Sequence, residues 1–174
     1  MQETTVTIKG VTPLLMRHRK LSEEPAELKN ASPEEQAENS AYRDDNKQLF
    51  IPSVCLWRAL VNAGAYSKAG RSSTKKKEVA AGMFIKEDHI LLGTSEFEVD
   101  SRWVRIKATG GSCMRHRPKI THWQCTFTLQ WEQAFFKEKE VRKIVDDCGS
   151  RVGVLDFRPE KTGPFGKFMV ILWR

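Results

Sequence analysis

The chain has 174 residues, 40% of them hydrophobic and 29% charged, with a formal net charge of +7 and a pI near 9.3. That length suits one elaborated domain rather than two, and the basic balance favours a polyanionic partner without dictating a fold. No run approaches the ~18 apolar residues of a membrane helix, the start MQETTVTIKG lacks a signal-peptide layout, and Cys55, Cys113, Cys125 and Cys148 are widely spaced, which implies reduced thiols in a cytoplasmic setting.

The charge is unevenly distributed. Residues 22–45 hold eight acids against Lys29 and Arg43, a net −6, which leaves +13 on the remainder. A phosphate chain would meet a strongly basic body, with the acidic stretch away from its path or displaced from it.

In chain order, the alternation of residues 4–9, with Val6 and Ile8 on one side, predicts a short strand. Pro13 breaks it, and Leu14, Leu15 and Met16 supply an apolar anchor. Residues 22–48 read as an acidic insertion with one short exposed helix, opened by Ser32 as cap and Pro33 in the first turn. Ser53 is placed to cap a helix over about 54–65, whose core stripe is Val54, Trp57, Leu60 and Val61. A second short helix near 74–81 delivers Met83, Phe84 and Ile85 to the core.

Residues 96–106 predict a strand carrying Phe97, Val99 and Trp103, and residues 107–121 a Gly-containing basic loop. Over 122–131 the alternation is clean: Trp123, Cys125, Phe127, Leu129 and Trp131 face one way, and His122, Gln124, Thr126, Thr128 and Gln130 the other. The 97–106 and 122–131 strands are expected to form a hairpin around the basic loop. Residues 137–148 form a helix with Val141, Ile144, Val145 and Cys148 buried and Gly149 as its stop. A Gly-rich loop, 149–167, then leads to FMVILW, apolar on both faces and so expected as a central buried strand. The order strand, helix, strand, strand, helix, strand predicts a single α+β domain with a ferredoxin-like, RRM-like βαββαβ core and a four-stranded antiparallel sheet.

Three groups of residues carry candidate chemistry. Met-Arg-His-Arg occurs twice, at Met16–Arg19 and Met114–Arg117, so Arg17, His18, Arg19 and the adjacent Lys20, together with Arg115, His116 and Arg117, are candidate nucleic-acid contacts. The run from Ser67 to Lys77 supplies Lys68, Arg71, Lys75 and Lys76 among small residues that admit a phosphate backbone, without the glycine spacing of a Walker loop. The Gly-rich loop supplies Arg151, Arg158, Lys161 and Lys167, while Phe157 and Phe165 read as loop anchors rather than base-stacking rings. A solvated basic surface is the bland alternative for each group.

A zinc site at Cys113, His116, His122 and Cys125 has suitable residue types, but strand alternation puts His122 and Cys125 on opposite faces, so no metal is expected. His18, His116 and His122, or Asp146, Asp147 and Asp156, show no diagnostic catalytic spacing.

The stretches Ile8-Lys9-Gly10-Val11-Thr12-Pro13-Leu14-Leu15, Phe50-Ile51-Pro52-Ser53-Val54-Cys55-Leu56-Trp57-Arg58-Ala59-Leu60 and Gly149 to Phe168 resemble, respectively, the opening strand and turn, the helix entry and the glycine-rich loop of the RAMP superfamily, the ferredoxin-like RNA-binding proteins of CRISPR effector complexes. The whole is also similar to small phage- and prophage-encoded proteins. The resemblance implies a single-stranded, guide-like RNA partner and head-to-tail self-assembly, with other effector subunits as further partners. It also implies a thumb at the 107–121 hairpin insertion, and an RNA path lined by residues 54–77, Arg58 included, and by the Gly-rich loop. No Asp stands in the thumb position, and Trp57 and Arg58 lie where the processing branch carries a His, so the resemblance implies binding without catalysis or cofactor. A phage single-stranded DNA-binding accessory protein and a His-dependent endoribonuclease are the competing readings.

Overall fold

The computed structural model describes residues 1–18, 30–105 and 108–174. The first alternating stretch becomes β1 (Gln2–Gly10), and Leu14–Leu15 form the short strand β2. Ser32 caps α1 (Pro33–Asn39) reciprocally: its Oγ accepts from the Glu35 amide at 3.2 Å and its own amide donates to Glu35 Oε2 at 2.8 Å. β3 (Phe50–Pro52) runs directly into α2 (Ser53–Ala63), which tightens into a 3₁₀ turn over Gly64–Tyr66. Then come α3 (Lys76–Gly82), β4 (Met83–Ile85), β5 (His89–Leu91), β6 (Glu98–Arg105), β7 (Ser112–Ile120), β8 (Gln124–Trp131), α4 (Glu138–Asp147) and β9 (Phe168–Trp173).

The architecture is mixed α+β with antiparallel sheets. The largest sheet runs β4-β8-β1-β9, with every neighbouring pair antiparallel. Val6 sits opposite Phe127 and Ile8 opposite Cys125, so one face of the sheet is apolar. Leu56 and Leu60 of α2 and Val141, Ile144 and Val145 of α4 join that face in one core. Each such fully buried side chain contributes about 1.5–3 kcal/mol. The opposite face of β1 and β8 carries Glu3, Thr5, Thr7 and Lys9 beside Gln124, Thr126, Thr128 and Gln130, a polar surface with one cation. A second sheet is ordered β2-β7-β6, and β3 pairs with β5.

Several expectations are corrected. Most of the 107–121 segment is not a loop: residues 112–120 are strand β7, paired with β6 from Glu98 opposite Lys119 to Arg105 opposite Ser112. Cross-strand charge, Asp100 against Arg117 and Glu98 against Lys119, holds this ribbon where apolar alternation is missing. β8 therefore pairs with β1 and β4, not with the 98–105 strand.

β9 is an edge strand rather than a central one. Among the described residues its one partner in the sheet is β1, and Met169 and Ile171 are 55% and 48% exposed. On α2 the cap is Pro52, with no side-chain bond, and Ser53 instead donates its amide to the Asp88 carbonyl at 3.0 Å. Its buried residues are Leu56, Ala59, Leu60, Val61 and Ala63, while Val54 is 62% exposed. Alternation in β4 turns Met83 inward and Phe84 out, and Trp103 of β6 is exposed. Helix α4 does not stop at Gly149. It widens into a π turn over Cys148–Val152 and ends at Gly153, whose φ of 72° suits the residue without a Cβ.

Candidate nucleic-acid interface

The Gly-rich loop is laced onto the segment after β1. Gly166 donates its amide to the Pro13 carbonyl at 2.8 Å, Val154 to Gly166 at 3.0 Å, and Asp156 to Leu15 at 3.1 Å. Gly166 has a φ of 72°, and a Cβ there would lie 2.1 Å from the Val154 oxygen, so only glycine closes the loop this tightly. Leu155, Phe157 and Thr162 also take positive φ, an uncommon state for such residues that the surrounding bonds enforce. The result holds Asp156 and Arg158 beside the chain that carries Arg17.

These residues line a cavity of about 300 Å³ with Tyr42, Val54, Cys55, Arg58 and Leu155. Three arginines thus converge from the segment after β2, from the first turns of α2 and from the Gly-rich loop. Arg158 is bound by Glu160, with Nη2 to Oε2 at 2.6 Å and Nε to Oε2 at 3.0 Å, and donates through Nη1 to the Leu155 carbonyl at 2.9 Å. Asp156 is neutralised by Arg117, whose Nη1 donates to Oδ2 at 2.5 Å. Among the described residues, Arg17 and Arg58 have no carboxylate partner, and Arg58 lies over the Trp57 ring at 5.7 Å. Burial above all, then Cys55 and Asp156, pushes the Tyr42 phenol up to about 12, so it stays neutral. Burial also raises the Cys55 thiol, against the opposing pull of Arg158, which leaves it a poor nucleophile.

The cationic surface extends along α2. Val54, Arg58 and Asn62 recur every four residues on one side of the helix. That side leads to exposed Tyr66, about 12 Å beyond Arg58 at the helical rise. Arg151 lies over the Tyr66 ring at 4.9 Å and is also paired with Asp147 at 3.1 Å. Lys68 and Arg71 follow on an exposed loop clipped by a bridge between Lys68 and Thr74, and Lys76 is exposed at the start of α3.

Other sequence-predicted residues sit elsewhere. His18 stacks on Tyr42 at 4.7 Å, beside the cavity. Arg19 and Lys20 lie outside the described residues. Lys75 is a strut, paired with Glu140 at 2.5 Å and over Phe136 at 5.1 Å. In the second Met-Arg-His-Arg copy, Arg115 is exposed opposite Arg102, and His116 Nδ1 meets Ser101 Oγ at 2.7 Å.

Arg117 departs most from its expected role. It is 7% exposed and held between Asp156 and Asp100, with Asp100 also gripped by Arg102. A guanidinium so enclosed tethers the β6–β7 ribbon to the Gly-rich loop and does not meet a phosphate. Lys161 is exposed beyond the cavity, and Lys167 is half-buried where its amide donates to Thr12 Oγ1 at 3.0 Å.

The acidic stretch adjoins the cavity rather than avoiding it, since Tyr42 lines the wall. Three of its acids have local partners: Glu35 in the α1 cap, Glu38 with Arg43, and Asp44 Oδ1 with the amides of Asn46 and Gln48. Sequence reasoning missed Tyr42, Cys55 and Tyr66 as wall and ridge residues. The recurrence of Val54, Arg58 and Asn62 on one helix side was the signal for the ridge, while nothing in the sequence pairs Tyr42 with Cys55.

Cys113 and His116 lie on opposite faces of β7, and Cys125 is buried with its thiol pushed up to about 12 by burial. Among the described residues, no group of three or more His, Cys, Asp or Glu side chains is placed to hold a metal, and no helix is long and apolar enough to cross a membrane. His18, His116 and His122 fall on three separate segments. The chain matches no family model and no curated protein.

Proposed function

We propose that the chain is a cytoplasmic single-stranded RNA-binding protein of RAMP type, assembling head to tail along RNA as a CRISPR-effector-backbone-like subunit. The fold is read as ferredoxin-like. The order β9-β1-β8-β4, with α2 and α4 as the crossovers between β1 and β4 and between β8 and β9, supports the split βαβ arrangement. The observation that carries the functional reading is the convergence of Arg17, Arg58 and Arg158, from segments far apart in sequence, on one cavity, with Arg58 on the helix side that leads to Tyr66 and Arg151. Cations spaced along a helix with a ring among them suit a flexible strand, with phosphates on arginine and bases on Tyr66.

The β6–β7 ribbon is the thumb in this reading. Exposed Trp103 sits directly opposite exposed Met114, an apolar wedge with Arg105 two residues along the same face. The acidic α1 region is complementary to the basic ridge of a following subunit, a heterologous contact that generates filaments.

The test is purification of the full chain at low salt, followed by competition between RNA and DNA strands of equal length. Co-purifying nucleic acid, a large assembled species and preference for RNA are expected. Clean monomeric protein without oligonucleotide affinity would refute the reading, and preference for DNA would move it to a single-stranded DNA-binding accessory protein, since the 2′-hydroxyl separates the two.

A further inference from the structure

The arginine-lined cavity differs in kind from the ridge with which it shares Arg58. A backbone phosphodiester carries one negative charge and continues in both directions, so a strand running past needs a groove with two open ends. The cavity is instead lined from several separate segments, by Arg17, by Tyr42, by Val54, Cys55 and Arg58 at the start of α2, and by Leu155, Asp156 and Arg158 of the Gly-rich loop. Its volume of about 300 Å³ lies at the bottom of the range for small-ligand pockets and suits a nucleotide fragment rather than a passing chain.

The charge balance narrows the ligand further. Arg158 is offset by Glu160 and Asp156 by Arg117, so these four groups cancel in pairs. Arg17 and Arg58 remain, two cations without a carboxylate partner among the described residues, facing a wall whose Tyr42 phenol stays neutral. α2 begins at this wall without a side-chain cap, and Val54 and Cys55 of its first turn line the cavity, so the partial positive charge of the helix end adds to the arginines. Two cations without a carboxylate partner among the described residues match a phosphate monoester, which carries about −1.5 to −2 at neutral pH, better than a diester.

Resting on the RNA-binding reading, we infer that this cavity receives the terminal phosphate monoester of a nucleic-acid strand, so that the protein distinguishes a phosphorylated end from a hydroxyl end. Arg17 and Arg58 bind the phosphate oxygens, and the ridge from Arg58 to Tyr66 takes the first nucleotides beyond the end.

The test uses the full chain and four otherwise identical short oligoribonucleotides, with 5′-phosphate, 5′-hydroxyl, 3′-phosphate or 3′-hydroxyl ends, each labelled at the opposite end and followed by fluorescence anisotropy. One of the two phosphorylated ends is expected to bind at least about tenfold more tightly than its hydroxyl counterpart, the scale of one charge-assisted contact. Which one identifies the end bound. Millimolar inorganic phosphate should remove that increment and leave the remaining affinity in place.

Arg17→Gln and Arg58→Gln should each abolish the increment, and Arg58→Lys, which keeps the charge at an exposed position, should retain part of it. Equal affinity for all four strands would overturn the inference while leaving the RNA-binding reading intact. An increment that survives the double glutamine variant would overturn the assignment to this cavity. Failure of every strand to bind would sink both.

Discussion

Arg115 and Arg117 stand two residues apart in the same tetrapeptide, yet their surroundings give them opposite roles. Arg115 is exposed with Arg102 across the ribbon, whereas Arg117 is buried between Asp156 and Asp100. Removing one partner of a buried pair leaves a carboxylate without its counter-charge. Arg117→Ala should therefore cost about 3 kcal/mol of stability, the low end for such a deletion because Asp156 is partly solvated and Asp100 keeps Arg102. Arg115→Ala should cost no more than about 0.5 kcal/mol, as for an exposed charge. Urea titrations of the two variants check this contrast, and equal losses would mean that the pairing of Arg117 does not anchor the ribbon. The same logic separates Lys75, fixed to Glu140 and Phe136, from its exposed neighbour Lys76.

The Gly-rich loop converts chain connectivity into a site, because its amides reach back to Pro13 and Leu15 and so bring Arg158 beside Arg17. Gly166→Ala should lower stability by more than about 1 kcal/mol, since the added methyl meets the Val154 oxygen and the φ is positive. RNA affinity should fall in parallel as the cavity wall shifts, and melting and binding measured together check it. Unchanged values in both would mean that the loop tolerates a wider closure.

Which elements were legible in the sequence follows from what holds each one. β8 and α4 were readable because apolar burial sets their periods, Trp123 to Trp131 by twos and Val141, Ile144, Val145 and Cys148 by helical turns. The α1 start was readable because its cap is local. β7 was not, because Asp100 and Glu98 on another strand match its arginine and lysine, and a single segment does not display its partner's charge. Nor was the edge position of β9, since FMVILW is equally apolar with one neighbouring strand or two. The basic segments were visible one at a time, but the three-arginine cavity exists only once the loop closes.

At the scale of the whole molecule, the open face of the main sheet carries one cation, Lys9, on its two middle strands and exposed Phe84 and Met169 on the flanking ones, which directs attention to the opposite side of the architecture. There α2, the segment after β2 and the Gly-rich loop meet and bring Arg17, Arg58 and Arg158 together. Counterion release gives this arrangement a direct signature, because each phosphate contact on a single strand adds about 0.7 to the slope of log affinity against log salt. The decisive measurement is that slope for single-stranded RNA, compared between the unmodified chain and the Arg17→Gln/Arg58→Gln double variant. Binding at low salt with a steep slope, reduced by about 1.4 in the double variant, is predicted from the loss of two contacts. Identical slopes for the two proteins would contradict the assignment of this cationic surface to RNA.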